Sequence, residues 1–226
     1  FWNDLDQNCR LPIVIWGIGV CLPEHEGIGG VSKKVVQSVF KRAIISNVRD
    51  QLTCDFYELE NSVDVSFCPT IHYIATHFKV STKSNVVRQV LHSHHIDLEP
   101  SNLTPRIKSI IEDKAWQYRF TKNVESKKEK LRSILLDYKR CDAVVTTRLH
   151  GAIIAYSFKR PYVALSFDPK IDAFVQSYGG GALVKSVAEL QERIPVLTAD
   201  LSSGYAHELA KVRNFGARAS TYLLSS

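Results

Sequence analysis

Methionine is missing from all 226 residues, position 1 included, which is unusual at this length and reads as a segment of a longer chain. Cysteine is sparse. Cys9, Cys21, Cys54, Cys68 and Cys141 include no C-x-x-C pair. They therefore offer no spacing for structural zinc, and an odd, scattered count suits a reducing compartment better than a disulfide framework. No stretch reaches the roughly 18 uninterrupted apolar residues of a membrane span. The opening FWNDLDQNCR also lacks the basic-then-apolar layout of a signal peptide. Fixed-period repeats and low-complexity tracts are absent too, which excludes a solenoid and a disordered chain.

What is present describes an ordinary globular protein, 45% apolar and 23% charged, long enough for one large domain or two small ones. A formal charge of +6 admits nucleic acid, an anionic membrane or a small anionic substrate as partner. Lysine and arginine are spread along the chain, densest in SKKEKLR at 126–132, with no aromatic-plus-basic motif or helix-turn-helix pattern. Nucleic acid is therefore not an expected partner, and that cluster reads as a solvated helix face.

The run LPIVIWG at 11–17 is short, β-rich and closed by glycine, as a buried parallel strand would be. Gly17 and Gly19 follow as G-x-G, either a tight turn or a place where backbone amides approach a ligand, and then comes a loop, CLPEHEGIGG. VSKKVVQSVFKR has helical spacing, AIISNVRD reads as a strand, DQLTCDFYELE as a helix and VDVSFCP as a strand stopped by Pro69. Further on, SNVVRQVLHSHH and PRIKSIIEDKAW look helical, which makes His92, His94 and His95 an exposed helix end rather than a metal site. The last third is the most regular. SKKEKLRSILLDYKRC is an amphipathic helix with Leu131, Ile134, Leu135 and Tyr138 inward, DAVVTT a strand, LHGAIIAYSF a helix, PYVALSF a strand and PKIDAFVQSYGG a helix. SVAELQERI and AHELAKVRNFGARASTYLL read as packing helices. Alternating strands and helices predict an α/β fold with mostly parallel sheets and right-handed crossovers.

In such a sheet, ligands bind beyond the carboxyl ends of the strands. DAVVTT delivers Thr146, Thr147, Arg148 and His150 there, and PYVALSF delivers Asp168 and Lys170. A helix beginning near Leu149 presents unpaired amides and a partial positive charge, which favours an anion. Arg148 adds a planar fork that matches phosphate or carboxylate. Gly151 would let a strand or ligand approach the first turn. His150 can move a proton at neutral pH or cap backbone. Asp168 directly precedes Pro169, as a helix N-cap does, and Lys170 would either offset substrate charge or be solvated.

TTRLHGAIIAYSFKRPYVALSFDPKIDAFVQSYG resembles the C-terminal signature of the polysaccharide pyruvyl transferase family: a strand, an R-L-H-G turn, a helix, an apolar strand and a D-P-K-like turn. IVIWGIGV and SNVRDQLTCDF resemble its glycine segment and its strand ending in an arginine–aspartate pair. The segment CPTIHY departs from the family's proline–aspartate-like turn and carries His72. The resemblance implies a GT-B-like pair of Rossmann-like domains with a ligand cleft between them. On that pattern residues 1–45 would be the end of an incomplete first domain and 46–226 the second.

It also implies transfer of the pyruvyl group of phosphoenolpyruvate onto two hydroxyls of one sugar, without a cofactor or metal. Arg148, Leu149, Gly151, Thr147, Lys170, Gly17 and Gly19 would bind substrate, with His150 and Asp168 catalytic. The acceptor sugar would be lipid-linked or polymeric, and the enzyme cytoplasmic or at the inner membrane face. A nucleotide-sugar glycosyltransferase and a non-catalytic carbohydrate- or anion-binding module are the alternatives.

Overall fold

Every strand pairing described in this protein is parallel, so each strand must be followed by a crossover before its neighbour can form. The computed structural model describes residues 1–20, 32–59, 62–82, 86–126, 130–194 and 204–224. The loop expected over 21–30 and part of the 126–132 cluster lie outside the described residues. The chain divides into a first unit, Phe1–His72 with Ala206–Ser226, and a second, Tyr73–Tyr205.

The first unit runs α1 (Trp2–Asn8), β1 (Val14–Ile18), α2 (Lys33–Arg42), β2 (Ile45–Val48), α3 (Gln51–Tyr57) and β3 (Asp64–Val65), with α4 (Thr70–His77) following. Its sheet has the order β1-β2-β3. The helical spacing of α2 buries Val36, Val39 and Phe40 against Ile13, Ile15 and Val48. Ser32 starts that helix by accepting from the Lys34 amide. The boundary expected after residue 45 would cut between paired strands, since Val14 pairs with Ile45 and Ile15 with Ser46. The units divide at 72 and 73 instead.

The second unit runs β4 (Gln89–Ser93), α5 (Leu103–Glu112), β5 (Gln117–Thr121), α6 (Leu131–Arg140), β6 (Ala143–Thr146), α7 (Leu149–Ser157), β7 (Tyr162–Leu165), α8 (Pro169–Tyr178), β8 (Gly181–Val184) and α9 (Val187–Arg193). Strand order is β5-β4-β6-β7-β8. β6 and β7 are buried at every position, as strands covered on both faces are. Val145, Val163, Leu165 and Val184 share one core cluster with Ile107 and Ile111 of α5 and Leu190 of α9. The last helix, α10 (Gly204–Leu224), crosses the second boundary and contributes Phe215 and Ala219 to a cluster with Ile45 in the first unit.

Two further expectations are corrected, and two strands, β5 and β8, were not anticipated. SNVVRQVLHSHH holds a strand, β4, that pairs with β5 on one side and β6 on the other. A central strand buried on both faces loses the alternation that marks a strand, and its apolar run then mimics helical spacing. β5 lies at the sheet edge and β8 starts on glycine, which hid both from a search for apolar strands. Leu131, expected inward, is 48% exposed because it opens α6, while Ile134, Leu135 and Tyr138 are buried as expected.

Candidate functional site

The carboxyl ends of β4, β6 and β7 carry the polar residues of the second unit. Thr146 closes β6 and its Oγ1 holds the next turn, accepting from the Arg148 amide at 3.0 Å and donating to the Arg148 carbonyl at 2.8 Å. Arg148 is thereby the N-cap of α7 without a side-chain cap bond, so its guanidinium is left for other work. Its Nη1 donates to the Lys122 carbonyl at 3.0 Å. Leu149 is buried and opens the helix, and His150 is exposed in the first turn. Gly151 has no room for a side chain: a Cβ would come within 2.1 Å of Thr146 Oγ1 and 2.5 Å of Ser93 Oγ. The close approach is that of β4 and β6 to the helix.

Asp168 does what its position before Pro169 predicts. Its Oδ1 accepts from the Lys170 amide at 2.9 Å and caps α8. Its Oδ2 is 2.9 Å from Lys170 Nζ, with only 3% of the Asp168 side chain and 11% of Lys170 exposed. Lys170 is therefore ion-paired rather than solvated, and both carboxylate oxygens of Asp168 are engaged.

Thr147 leads to residues that motif reading passed over. Its Oγ1 accepts from the His95 amide at 2.9 Å and donates to Glu99 Oε2 at 2.5 Å. That same oxygen is 3.1 Å from His92 Nε2, while Glu99 Oε1 accepts from Thr104 Oγ1 at 2.6 Å and lies 3.0 Å from His94 Nδ1. His92 Nδ1 is 3.0 Å from the Tyr118 hydroxyl.

Burial alone would raise the Glu99 pKa, but hydrogen bonds from His92, Thr104 and Thr147, with the His92 charge, push it down to about 2. Burial and the Glu99 charge push the Tyr118 phenol above its usual range, so it stays protonated. His92, His94 and Glu99 bring metal-ligand atoms within 4.8 Å of one another. Glu99 Oε2 already meets Thr147 Oγ1 and His92 Nε2, however, and Oε1 accepts from Thr104 Oγ1, so protein partners take up both oxygens of the carboxylate. The cluster is a hydrogen-bond network that holds Thr147.

Asn123, with φ 52°, adds a further brace: Nδ2 donates to Ser93 Oγ at 3.0 Å and to the buried Tyr138 hydroxyl at 2.7 Å. Burial, and after it the Arg148 charge, lower the His95 pKa, and the His95 amide bond to Thr147 Oγ1 joins the ends of β4 and β6. The signal for His92, His94 and Glu99 was their clustering over eight residues. Helical spacing over β4 conceals it.

Gly17 and Gly19 lie in the first unit. Gly17 has φ 70°, donates its amide to Asn47 Oδ1 at 3.1 Å, and a Cβ there would meet Pro69 Cδ at 2.4 Å. A Cβ on Gly19 would meet Arg49 Nε at 2.1 Å. Arg49 in turn donates to Asp50 at 3.2 Å, and Asp50 caps α3. Both glycines therefore admit protein side chains closely. His72 lies on α4.

A model of the family described as polysaccharide pyruvyl transferase matches residues 2–169. No curated protein sequence matches the chain significantly. Among solved structures, the UDP-GlcNAc 2-epimerase of Methanocaldococcus jannaschii, solved with UDP-GlcNAc and UDP, is similar at 14% identity and a TM-score of 0.56, over 83% of this chain and 63% of that one. The glycotransferase of kitacinnamycin is similar at 14% identity and a TM-score of 0.53, over 87% and 58%. The α/β fold with parallel sheets thus resembles GT-B-like epimerase and glycosyltransferase folds. The chain spans less than two thirds of either structure's length. Among the described residues, no helix is long and apolar enough to cross a membrane.

Proposed function

The chain belongs to the polysaccharide pyruvyl transferase family, and from that premise we propose that it transfers the pyruvyl group of phosphoenolpyruvate onto two hydroxyls of one sugar. The observation that carries the proposal is Arg148 at the uncapped start of α7, held by Thr146 and Thr147. A guanidinium beside a helix N-terminus suits a donor carrying a phosphate and a carboxylate.

The reaction balances without oxidant or reductant. The vinyl carbon of the donor takes a proton and becomes a methyl group, leaving an oxocarbenium-like centre. One sugar hydroxyl attacks that centre, the C–O bond to phosphate breaks, and the second hydroxyl closes the ketal. Of the two hydroxyl protons, one balances the proton gained by carbon and the other leaves with phosphate.

Arg148 and the first amides of α7, from Leu149 on, bind the donor anion and stabilise the departing phosphate. His150, exposed in the same turn, holds the phosphate or carries the proton. Asp168, engaged at both oxygens, positions Lys170 and the start of α8 rather than serving as the base. Gly151 and Thr147 shape the turn, and Gly17 and Gly19 shape the first unit. The acceptor is a sugar, lipid-linked or polymeric, and the setting is the cytoplasm or the inner membrane face.

Calorimetric titration of phosphoenolpyruvate tests this without knowledge of the acceptor. Saturable binding that Arg148→Ala abolishes is expected, and with an acceptor present Arg148→Ala and His150→Ala should each abolish phosphate release. No binding to the folded wild-type chain, with binding of a nucleoside diphosphate instead, would refute the proposal in favour of a nucleotide-sugar donor. Near-normal phosphate release by either variant would remove that residue from the mechanism.

A further inference from the structure

His95 stands two residues beyond β4, at the carboxyl end of the sheet where Arg148 lies. Its amide donates to Thr147 Oγ1 at 2.9 Å, which fixes its main chain against the residue preceding Arg148. Its ring is fixed as well: Nδ1 accepts from the Asp97 amide at 3.2 Å and the Leu98 amide at 3.1 Å. An imidazole that accepts at Nδ1 carries its proton on Nε2. Among the described residues that Nε2 has no hydrogen-bond partner.

The charged groups around the ring are Asp97 on its own loop, Arg148 before α7, and Asp168 and Lys170 at the start of α8. Burial and the Arg148 charge pull its pKa below 6.5, with Asp97 and Asp168 opposing and Lys170 adding to Arg148. The imidazole is therefore neutral at pH 7. The site gains a directional donor without a further positive charge, one that a ligand oxygen can take over from water.

We propose that His95 Nε2–H is a ligand-contacting donor of this site, hydrogen-bonding an oxygen of the oxyanion that Arg148 and the start of α7 hold. The inference rests on the donor-binding function proposed above and adds a residue to it. The oxyanion is the phosphate or the carboxylate of phosphoenolpyruvate, and the two are separable by probe.

Phosphoenolpyruvate, inorganic phosphate and pyruvate would be titrated into the wild-type chain, Arg148→Ala, His95→Asn and His95→Gln. Asparagine keeps an acceptor near Nδ1 for the Asp97 and Leu98 amides but has no donor at the Nε2 position. Glutamine does the reverse. His95→Asn should weaken phosphoenolpyruvate binding by about tenfold to a hundredfold with an unchanged melting temperature, and His95→Gln should lose less. A matching loss for phosphate but not pyruvate assigns the contact to the phosphate end, and the opposite pattern assigns it to the carboxylate.

Ring 1H–15N spectra give a test that needs no variant to fold: phosphoenolpyruvate should shift the His95 Nε2 signal, and an unmoved signal at saturation overturns the contact. His95→Asn binding as tightly as wild type, when Arg148→Ala has lost binding, overturns His95 and leaves the donor function standing. If phosphoenolpyruvate does not bind wild type at all, the donor function falls. The phosphate arm then decides His95 alone, weaker binding by His95→Asn supporting it and equal binding overturning it.

Discussion

Replacing Gly151 by alanine adds one methyl group at the point where α7 meets the ends of two strands. That Cβ would stand 2.1 Å from Thr146 Oγ1, 2.5 Å from Ser93 Oγ and 2.9 Å from Ser93 Cβ. Neither neighbour is the tip of a long side chain: both are short and buried at the ends of β6 and β4. Thr146 Oγ1 cannot swing away without giving up its bonds to the Arg148 amide and carbonyl.

Overpacking costs about 1–3 kcal/mol and two neutral hydrogen bonds about 0.5–1 kcal/mol each, so the loss should be about 2–5 kcal/mol. A middle value of about 3 kcal/mol lowers Tm by about 6–12 °C for a chain of this size. Thermal melts followed by circular dichroism measure it. The pair Gly151→Ala with Thr146→Ala should lose less than the sum of the single variants, by about 1–2 kcal/mol, because the second change removes the nearest clashing atom. Gly151→Ala melting within about 1 °C of wild type, or strict additivity in the pair, would refute the strand-approach account of this glycine.

Glu99→Gln should destabilise the chain at neutral pH and flatten its acid response. A buried carboxylate at about 2 against the usual 4.5 contributes about 3 kcal/mol above pH 4.5 that is lost as pH falls from there towards 2. Equally steep acid unfolding of wild type and variant over that range would show that other groups carry it. Asp168→Asn keeps a capping side chain for α8 but removes the charge, itself buried, that pairs with partly buried Lys170, and should cost about 2–4 kcal/mol by chemical denaturation. Its phosphate release should fall in part rather than vanish. A complete loss with donor affinity and fold intact would make Asp168 the base after all.

Much of the second unit was legible in the chain itself. DAVVTT, PYVALSF and the helices between and after them were found because each signal is local: a short apolar run, a proline after a capping aspartate, a glycine at a helix end. The turn bearing Thr147, Arg148 and His150 followed from the rule that strand ends carry ligands. β4 was misread because a central strand shows neither alternation nor a turn signal of its own, and His92, His94 and His95 went with it.

The sequence alone thus determined the strand–turn–helix units, the place of the Arg148 turn at a strand end and the family. Tertiary structure decided what those residues spend their polar atoms on. Thr147 meets Glu99 across 48 residues of chain and Thr146 meets Ser93 across 53. Such pairings depend on strand order, which no local pattern encodes. They bind Glu99 to Thr147 and His92 and reserve Gly151 for the sheet.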